Sequence, residues 1–171
     1  VFGKALGNGF PISAIIGKNQ IMEAAQKTFI SSTFWTERIG YVAALATIEK
    51  YEKNNVVAHL QKMGDSVNKI WTEASSTFEI EIEIDGIEPL THINFKGKDP
   101  SYLQTLYTQE MLKKGFLTGA NVYTSYSYNN SIIKKFKKAT LESFDSLRKA
   151  IDSNYSRTFL DNEIKHSGFK R

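Results

Sequence analysis

The chain has 171 residues, a length that allows one domain or two incomplete ones. It carries 22 basic and 18 acidic side chains, for a net charge of +4. It has no cysteine, which excludes disulfides and thiolate metal sites and suits the reducing cytoplasm, where we expect the protein to act. Its apolar runs stay below the roughly 18 residues that a membrane-spanning helix needs. The first residue is Val1 and not methionine, so we expect the chain to belong to a longer protein.

The first third of the chain combines a glycine-punctuated loop with two predicted helices. Gly3, Gly7 and Gly9 surround a single lysine, Lys4, and Pro11 closes the loop. Glycines leave space for a bulky ligand and permit backbone angles closed to other residues. The elements predicted next are a short buried strand over 12–17, a helix over 19–27, a loop over 28–37 and an alanine-rich helix over 38–53.

The remainder of the chain predicts helices packed on an antiparallel sheet. Isoleucines alternate with acidic residues over 78–84, which predicts a strand with one solvated face. The predicted elements are an amphipathic helix carrying Leu60 to Ala74, strands over 78–84 and 91–95 joined by a turn at Asp85-Gly86, a helix between Asp99 and Gly115, short strands over 116–118 and 122–126, and a long helix capped by Ser131. Periodicity fades after Asn154, so we expect a poorly ordered tail over 155–171.

The loop around Lys4 resembles the lysine loop of class III pyridoxal-phosphate-dependent aminotransferases, the family that includes glutamate-1-semialdehyde aminomutase. The family pattern is a Lys, two residues, a Gly-x-Gly, one residue and a Pro. Lys4, Gly7, Gly9 and Pro11 fill these places. A lone lysine near glycines is usually a surface residue, and the surrounding pattern favours the functional interpretation. The resemblance implies that Lys4 is the catalytic residue that forms a Schiff base with pyridoxal 5'-phosphate.

A second segment, around Thr33, resembles another landmark of the same family. There a threonine and an aromatic residue precede an alanine-rich helix, and the threonine binds the phosphate of the neighbouring subunit's cofactor. Thr33 matches that threonine, and the adjacent Ser32 is a further candidate for cofactor binding. The role implies a homodimer with a shared active site. The chain departs from the pattern at Trp35-Thr36-Glu37-Arg38, where many members have Gly-Gly-Asn-Pro, which leaves the substrate open.

The resemblance also implies a fold, the α/β fold-type-I architecture of pyridoxal-phosphate-dependent transferases. Residues 1–54 would be the C-terminal end of the large cofactor domain, and residues 55–154 the small C-terminal α/β domain with an antiparallel sheet. Residues 155–171 would be a tail. In the family the aspartate that pairs with the pyridine nitrogen lies upstream of the lysine, so this chain alone is expected to be inactive.

The function that the resemblance implies is class III amino transfer between a small-molecule amino donor and a carbonyl acceptor. One alternative is an aminomutase of the glutamate-1-semialdehyde type, which uses the same lysine. Another is an inactive remnant that serves only as an assembly domain. Binding of nucleic acid is less favoured: the basic residues of the last helix flank Phe136, which falls on its apolar stripe, and so predict a solvated face. The three histidines lie far apart in the sequence without the spacing of metal ligands.

Overall fold

A computed structural model describes residues 1–31 and 33–166 of the chain. Its internal contacts divide the chain into two units, Val1–Val57 and the residues from Ala58 on. The division lies close to the domain boundary expected after residue 54. The second unit holds a three-stranded sheet and most of the buried apolar side chains.

The first unit, as far as it is described, has one long helix preceded by short helical turns. Its elements are a 3-10 turn at Lys4–Leu6, helix α1 at Asn19–Met22, a 3-10 turn at Glu23–Lys27 and helix α2 at Arg38–Asn54. The Glu37 carboxylate caps α2 by accepting a 3.1 Å hydrogen bond from the Ile39 N–H. Asn55 ends the helix in a left-handed conformation, with φ 46°. The helix predicted over 38–53 is therefore confirmed.

The strand predicted over 12–17 is wrong. Within that segment only Ala14 forms a bridge, exchanging backbone hydrogen bonds of 2.7 Å with Phe2. Ile15 and Ile16 are exposed, the latter to 69%. A β-branched run joins a sheet only where a neighbouring strand supplies partners, and the described residues of the first unit contain no such strand.

The second unit places helices around an antiparallel sheet, as predicted. Its elements are α3 (Val56–Phe78, which begins in the first unit), β1 (Ile82–Ile87), β2 (Leu90–Phe95), α4 (Pro100–Lys113), β3 (Asn121–Tyr123) and α5 (Asn130–Asp152). The strand order is β1-β2-β3, and both pairings are antiparallel. No helix among the described residues is both long and apolar enough to cross a membrane.

The turn between β1 and β2 is not at the predicted Asp85-Gly86 dipeptide. Both residues lie inside β1, and the chain reverses at Glu88 and Pro89. Gly86 has a φ of 90°, a left-handed conformation that favours glycine. Gly86 therefore marks a backbone irregularity inside β1, and not the end of the strand as its sequence suggested.

Two further local predictions differ from the structure. Residues 116–118 form no strand: the Phe116 N–H donates a 2.9 Å hydrogen bond to the Met111 carbonyl and so closes the end of α4. The cap of α5 is Asn129, whose Oδ1 accepts a 3.1 Å hydrogen bond from the Ile132 N–H. Ser131 lies in the first turn of that helix. Asn and Ser are comparable N-caps, so the sequence alone does not choose between them.

The β1–β2 turn is held tightly against α3 and the loop after β3. Gly64 of α3 lies so close to Glu88 that a Cβ built on the glycine would overlap the Glu88 carbonyl oxygen. The Pro89 carbonyl accepts hydrogen bonds from Thr124, one of 3.0 Å from its N–H and one of 3.2 Å from its hydroxyl. The Thr124 hydroxyl also lies 3.3 Å from the Leu60 carbonyl. Backbone groups thus fix the position of this turn.

Aromatic side chains join the helices and the sheet in the core of the second unit. Trp71, Tyr107 and Phe144 are fully buried, and the Phe95 ring lies 5.6 Å from Tyr107 and 5.7 Å from Phe144 between centroids. The Trp71 Nε1–H donates a 2.9 Å hydrogen bond to the Tyr107 hydroxyl. Burial raises the pKa of Tyr107 to about 12, although its hydrogen bonds with Trp71 and Thr140 act in the opposite direction.

We expect Tyr107→Phe to destabilise the full chain by about 1–2 kcal/mol at neutral pH, because the buried Trp71 N–H loses its acceptor. Stability at alkaline pH should also change. The folded-state pKa of Tyr107 lies above its ordinary value of 10.0, so the neutral hydroxyl contributes stability that is fully present below pH 10 and is lost as pH rises through about 12. Urea unfolding at a series of alkaline pH values should therefore show a shallower loss in Tyr107→Phe than in the wild type.

The exposed Tyr41 offers a matched control, since Tyr41→Phe removes a hydroxyl from the surface of the first unit. Its free energy of unfolding at neutral pH should stay close to that of the wild type, because the hydroxyl is at the surface. The same alkaline slope in Tyr107→Phe and the wild type would contradict the assignment of this titration to Tyr107.

Residues 155–166 are packed against the second unit, which differs from the expectation of a poorly ordered tail over 155–171. A 3-10 turn spans Arg157–Phe159, and the Tyr102 hydroxyl donates a 2.7 Å hydrogen bond to the Ser156 carbonyl. Side chains of α4 hold this segment in place, whereas a regular helix or strand is held by its own backbone hydrogen bonds. Its sequence therefore shows no periodicity. Residues 167–171 lie outside the described residues.

Candidate functional site

The lysine loop of the first unit is a tight turn built around Lys4. This residue opens the 3-10 turn with a left-handed φ of 48°, and its carbonyl accepts a 3.2 Å hydrogen bond from the Asn8 N–H. Asn8 and Gly9 follow with φ values of 46° and 109°. Left-handed residues other than glycine are uncommon and cluster at functional sites. The loop therefore departs from regular backbone at the residue that the sequence singles out.

The two glycines of the Gly-x-Gly segment have different roles in this loop. Gly7 is buried, and a Cβ built on it would overlap the Phe10 carbonyl oxygen. Gly9 has open space on its Cβ side and is needed for its backbone conformation alone. One glycine therefore lets the turn close, and the other supplies a backbone conformation that other residues rarely adopt.

An open cleft of about 590 Å³ lies over the loop. Its lining residues are Lys4, Ala5, Asn8, Gly9, Phe10, Pro11 and Ile12. The Lys4 side chain is exposed, and its Nζ makes no hydrogen bond or ion pair with the part of the chain that the structure describes. A primary amine without a competing partner at the edge of a cleft is chemically suited to bond covalently to an aldehyde. The residues present thus fit an aldehyde cofactor.

Thr33 lies in a different place from the Lys4 cleft. It is exposed in the turn that leads to Glu37, the N-cap of α2, and it does not line the cleft. Ser32, the other candidate, lies outside the described residues. Hydroxyl and N–H groups ahead of a helix N-terminus suit a phosphate group. Thr33 is not among the residues that line the Lys4 cleft or the second cleft described below.

A second cleft of about 620 Å³ adjoins the first, and sequence reasoning missed it. Its lining is largely apolar and aromatic, and it comprises Pro11, Ile12, Ser13, Ile15, Met22, Ile30, Ser31, Phe34, Trp35, Glu37, Gly40 and Tyr41. Pro11 and Ile12 line both clefts because α2 packs closely on the loop at Gly40. A Cβ built on Gly40 would lie 2.8 Å from the Pro11 carbonyl oxygen. The adjacent aromatic residues Phe34 and Trp35 were the only hint of this cleft in the sequence. Their position beside the lysine loop depends on tertiary packing, which the sequence does not reveal.

The three histidines lie in the second unit, as do Tyr126 and Tyr128. His59 contacts the Tyr126 ring at 5.0 Å between centroids, and Tyr128 lines a cavity of about 320 Å³. Across residues 1–31 and 33–166, no three His, Cys, Asp or Glu side chains are grouped so that they could hold a metal ion. The lysine loop therefore remains the place where chemistry is best supported.

Comparisons with known proteins match the chain to one family. The family model "Aminotransferase class-III" matches residues 1–150. The 3-aminobutyryl-CoA aminotransferase of Cloacimonas acidaminovorans is 34% identical over 113 residues, covering 63% of this chain and 26% of that protein. The glutamate-1-semialdehyde 2,1-aminomutase of Methanothrix thermoacetophila is 27% identical over 158 residues, covering 83% of this chain and 36% of that protein.

A solved structure shares the fold. The PLP internal aldimine form of the FumI protein of Sphingopyxis sp. MTA144 superposes with a TM-score of 0.81 at 23% identity, over 88% of this chain and 37% of that one. This likeness confirms the predicted fold class, an α/β fold of pyridoxal-phosphate-dependent transaminases. The chain spans between a quarter and two fifths of the length of these relatives.

Proposed function

The chain belongs to the class III aminotransferase family, and on that premise we propose that the complete protein is a pyridoxal-phosphate-dependent aminotransferase with Lys4 as its catalytic residue. Residues 1–54 would then end the large cofactor domain, and residues 55–154 would form the small domain. Its substrates would be a small-molecule amino donor and a carbonyl acceptor. The absence of cysteine suits a reducing compartment, and we place the protein in the cytoplasm as part of the same proposal.

The observation that carries the proposal is the exposed amine of Lys4, which has no partner among the described residues, at the cleft of a loop with the family's glycine pattern. The cofactor would supply an aldehyde for covalent attachment and a pyridine ring that accepts an electron pair. Lys4 would hold the cofactor through Nζ and, once displaced by the substrate amine, would use the same nitrogen to move a proton. The close packing at Gly7 and the left-handed backbone of Gly9 would hold the shape of the loop that carries this lysine.

Thr33 would bind the cofactor phosphate of a second subunit, with Ser32 beside it. Support comes from the position of Thr33 in an exposed turn ahead of α2, outside the lining of the Lys4 cleft. An exposed hydroxyl in such a turn is accessible to the cofactor phosphate of a second subunit. The proposal therefore includes a homodimer in which each active site draws residues from both subunits.

Covalent trapping tests the proposal without measuring turnover. The complete protein, loaded with pyridoxal phosphate and reduced with borohydride, should carry one stable adduct per chain on the peptide that contains Lys4. Mass spectrometry after proteolysis locates it. Lys18, exposed on the same unit, is an internal control and should stay unmodified. An adduct on another lysine, or none, would refute the role of Lys4.

We expect Thr33→Val to weaken cofactor affinity by about tenfold, because one hydrogen bond to a charged group is lost. Turnover at saturating cofactor should change little, since a phosphate contact anchors the cofactor without joining the reaction. Fluorescence titration of the cofactor measures the first effect, and an amino-transfer assay the second. Thr36→Val removes a hydroxyl from the same turn and is the matched control. An unchanged dissociation constant in Thr33→Val would count against its phosphate role.

An aminomutase is the second candidate function, favoured by the 27% identity to the Methanothrix enzyme over 83% of this chain. An aminomutase moves the amino group within one substrate, whereas an aminotransferase needs a separate acceptor. Incubating the purified protein with glutamate-1-semialdehyde alone distinguishes them. Rearrangement without any added acceptor would replace the first proposal by the second.

A further inference from the structure

The segment 155–166, called the strap below, follows α5 and lies beyond the residues that the family model matches. It leaves the helix through two consecutive left-handed residues, Asn154 with φ 52° and Tyr155 with φ 60°. Such conformations cost free energy in residues other than glycine, so contacts elsewhere must hold the chain in this course. The turn directs the strap onto one face of α4.

Three side chains at helical spacing on α4 bind the strap. Tyr102 donates its hydroxyl to the Ser156 carbonyl at 2.7 Å, and the Thr105 hydroxyl accepts from the Lys165 N–H at 3.1 Å. Gln109 uses both ends of its amide, donating from Nε2 to the Phe159 carbonyl at 2.8 Å and accepting at Oε1 from the Asp161 N–H at 2.7 Å. Residues three or four apart share one face of a helix. In all four hydrogen bonds the strap contributes only backbone atoms.

Apolar and charged contacts reinforce these hydrogen bonds. Phe159, Leu160 and Ile164 are partly buried against the core of the second unit. The Tyr155 ring packs edge-on against Tyr102 at 5.5 Å between centroids. An ion pair of 2.9 Å between Lys113 and Asp161 lies at the C-terminal end of α4.

We propose that this face of α4 is a built docking site for a peptide backbone, and that the strap occupies it in cis as a detachable latch. Recognition through backbone atoms makes the site tolerant of side-chain sequence, as in other cases of main-chain recognition. The apolar residues supply the affinity, and the two-ended Gln109 amide sets the register. Release of the latch uncovers Tyr102 and loosens α4.

The first test splits the latch from the chain. A variant ending at Asn154 should remain folded by circular dichroism and should bind a synthetic peptide of residues 155–166 in trans. The peptide should restore the amide-exchange protection of α4 that truncation lowers.

Methylation of the Asp161 peptide nitrogen should weaken binding at least tenfold, because the donor to Gln109 is lost. Methylation at Asn162, whose N–H makes no hydrogen bond among the described residues, is the matched control.

The second test leaves the chain intact. Gln109→Ala should speed tryptic cleavage after Arg157 in the native full chain at least tenfold, since the strap spends more time released. Gln61→Ala, at an exposed glutamine of α3, should cleave like the wild type. Unchanged cleavage in Gln109→Ala overturns the proposal. So does a folded truncated chain that fails to bind the peptide, or a truncated chain that unfolds, because a detachable latch leaves the remainder folded.

Discussion

Lys4→Ala is expected to abolish amino transfer in the complete protein, with turnover lowered about 10³-fold or more. One nitrogen is proposed both to hold the cofactor and to move the proton, so its removal affects both steps. The exposed side chain has no structural partner among the described residues, and the fold should therefore survive. Amino-transfer rates under saturating cofactor, with circular dichroism as a check on folding, measure the effect.

Two variants sharpen this experiment. Lys4→Arg should be as inactive as Lys4→Ala, because a guanidinium stays protonated and cannot take over the chemistry of an amine. Lys18→Ala changes another exposed lysine of the same unit and should retain wild-type turnover. Substantial transaminase activity in Lys4→Ala would show that another group performs the reaction.

Gly64→Ala is expected to destabilise the second unit by about 2 kcal/mol, which is large for the addition of one methyl group. The new Cβ would overlap the Glu88 carbonyl oxygen, and neither the helix nor the turn can yield through a flexible side chain. A gain of about 1 kcal/mol in helix propensity from glycine to alanine offsets part of the strain and is included in that value. Urea unfolding followed at Trp71, in a Trp35→Phe background, reports on this unit alone because the chain has two tryptophans.

Ser76→Ala is the matched control for this substitution. It also places alanine in α3, but at an exposed position, and should be neutral or slightly stabilising. A Gly64→Ala variant as stable as Ser76→Ala would mean that the turn at Glu88 moves away freely.

Features encoded in neighbouring residues were predictable from the sequence. The Asp99-Pro100 pair predicts the start of α4, and the Asp99 carboxylate indeed accepts a 2.9 Å hydrogen bond from the Tyr102 N–H. Gly115 ends the same helix with a left-handed φ of 83°. The turn around Lys4 was predictable for the same reason, because the glycines that shape it lie within a few residues of the lysine.

Features that depend on distant partners were not predictable. The β-branched run over 12–17 has strand propensity but no strand beside it in the described residues. Residues 155–166 show no periodicity because their order comes from Gln109 and its neighbours on α4. The cleft beside Trp35 exists because Gly40 lets α2 approach Pro11, which no local pattern reveals. In each case the deciding contact joins residues far apart in the chain.

The tip of the β1–β2 hairpin would ordinarily be the first place to insert a tag or a foreign loop, since exposed tips usually accept extra residues. In this protein the tip is poorly suited to that use. Its Pro89 carbonyl is bound twice by Thr124, and Gly64 lies against Glu88 without room for a methyl group. Residues added there would have to displace a helix and a loop at once. Protein engineers should expect an insertion in this hairpin to destabilise the second unit, although Glu88 itself is exposed.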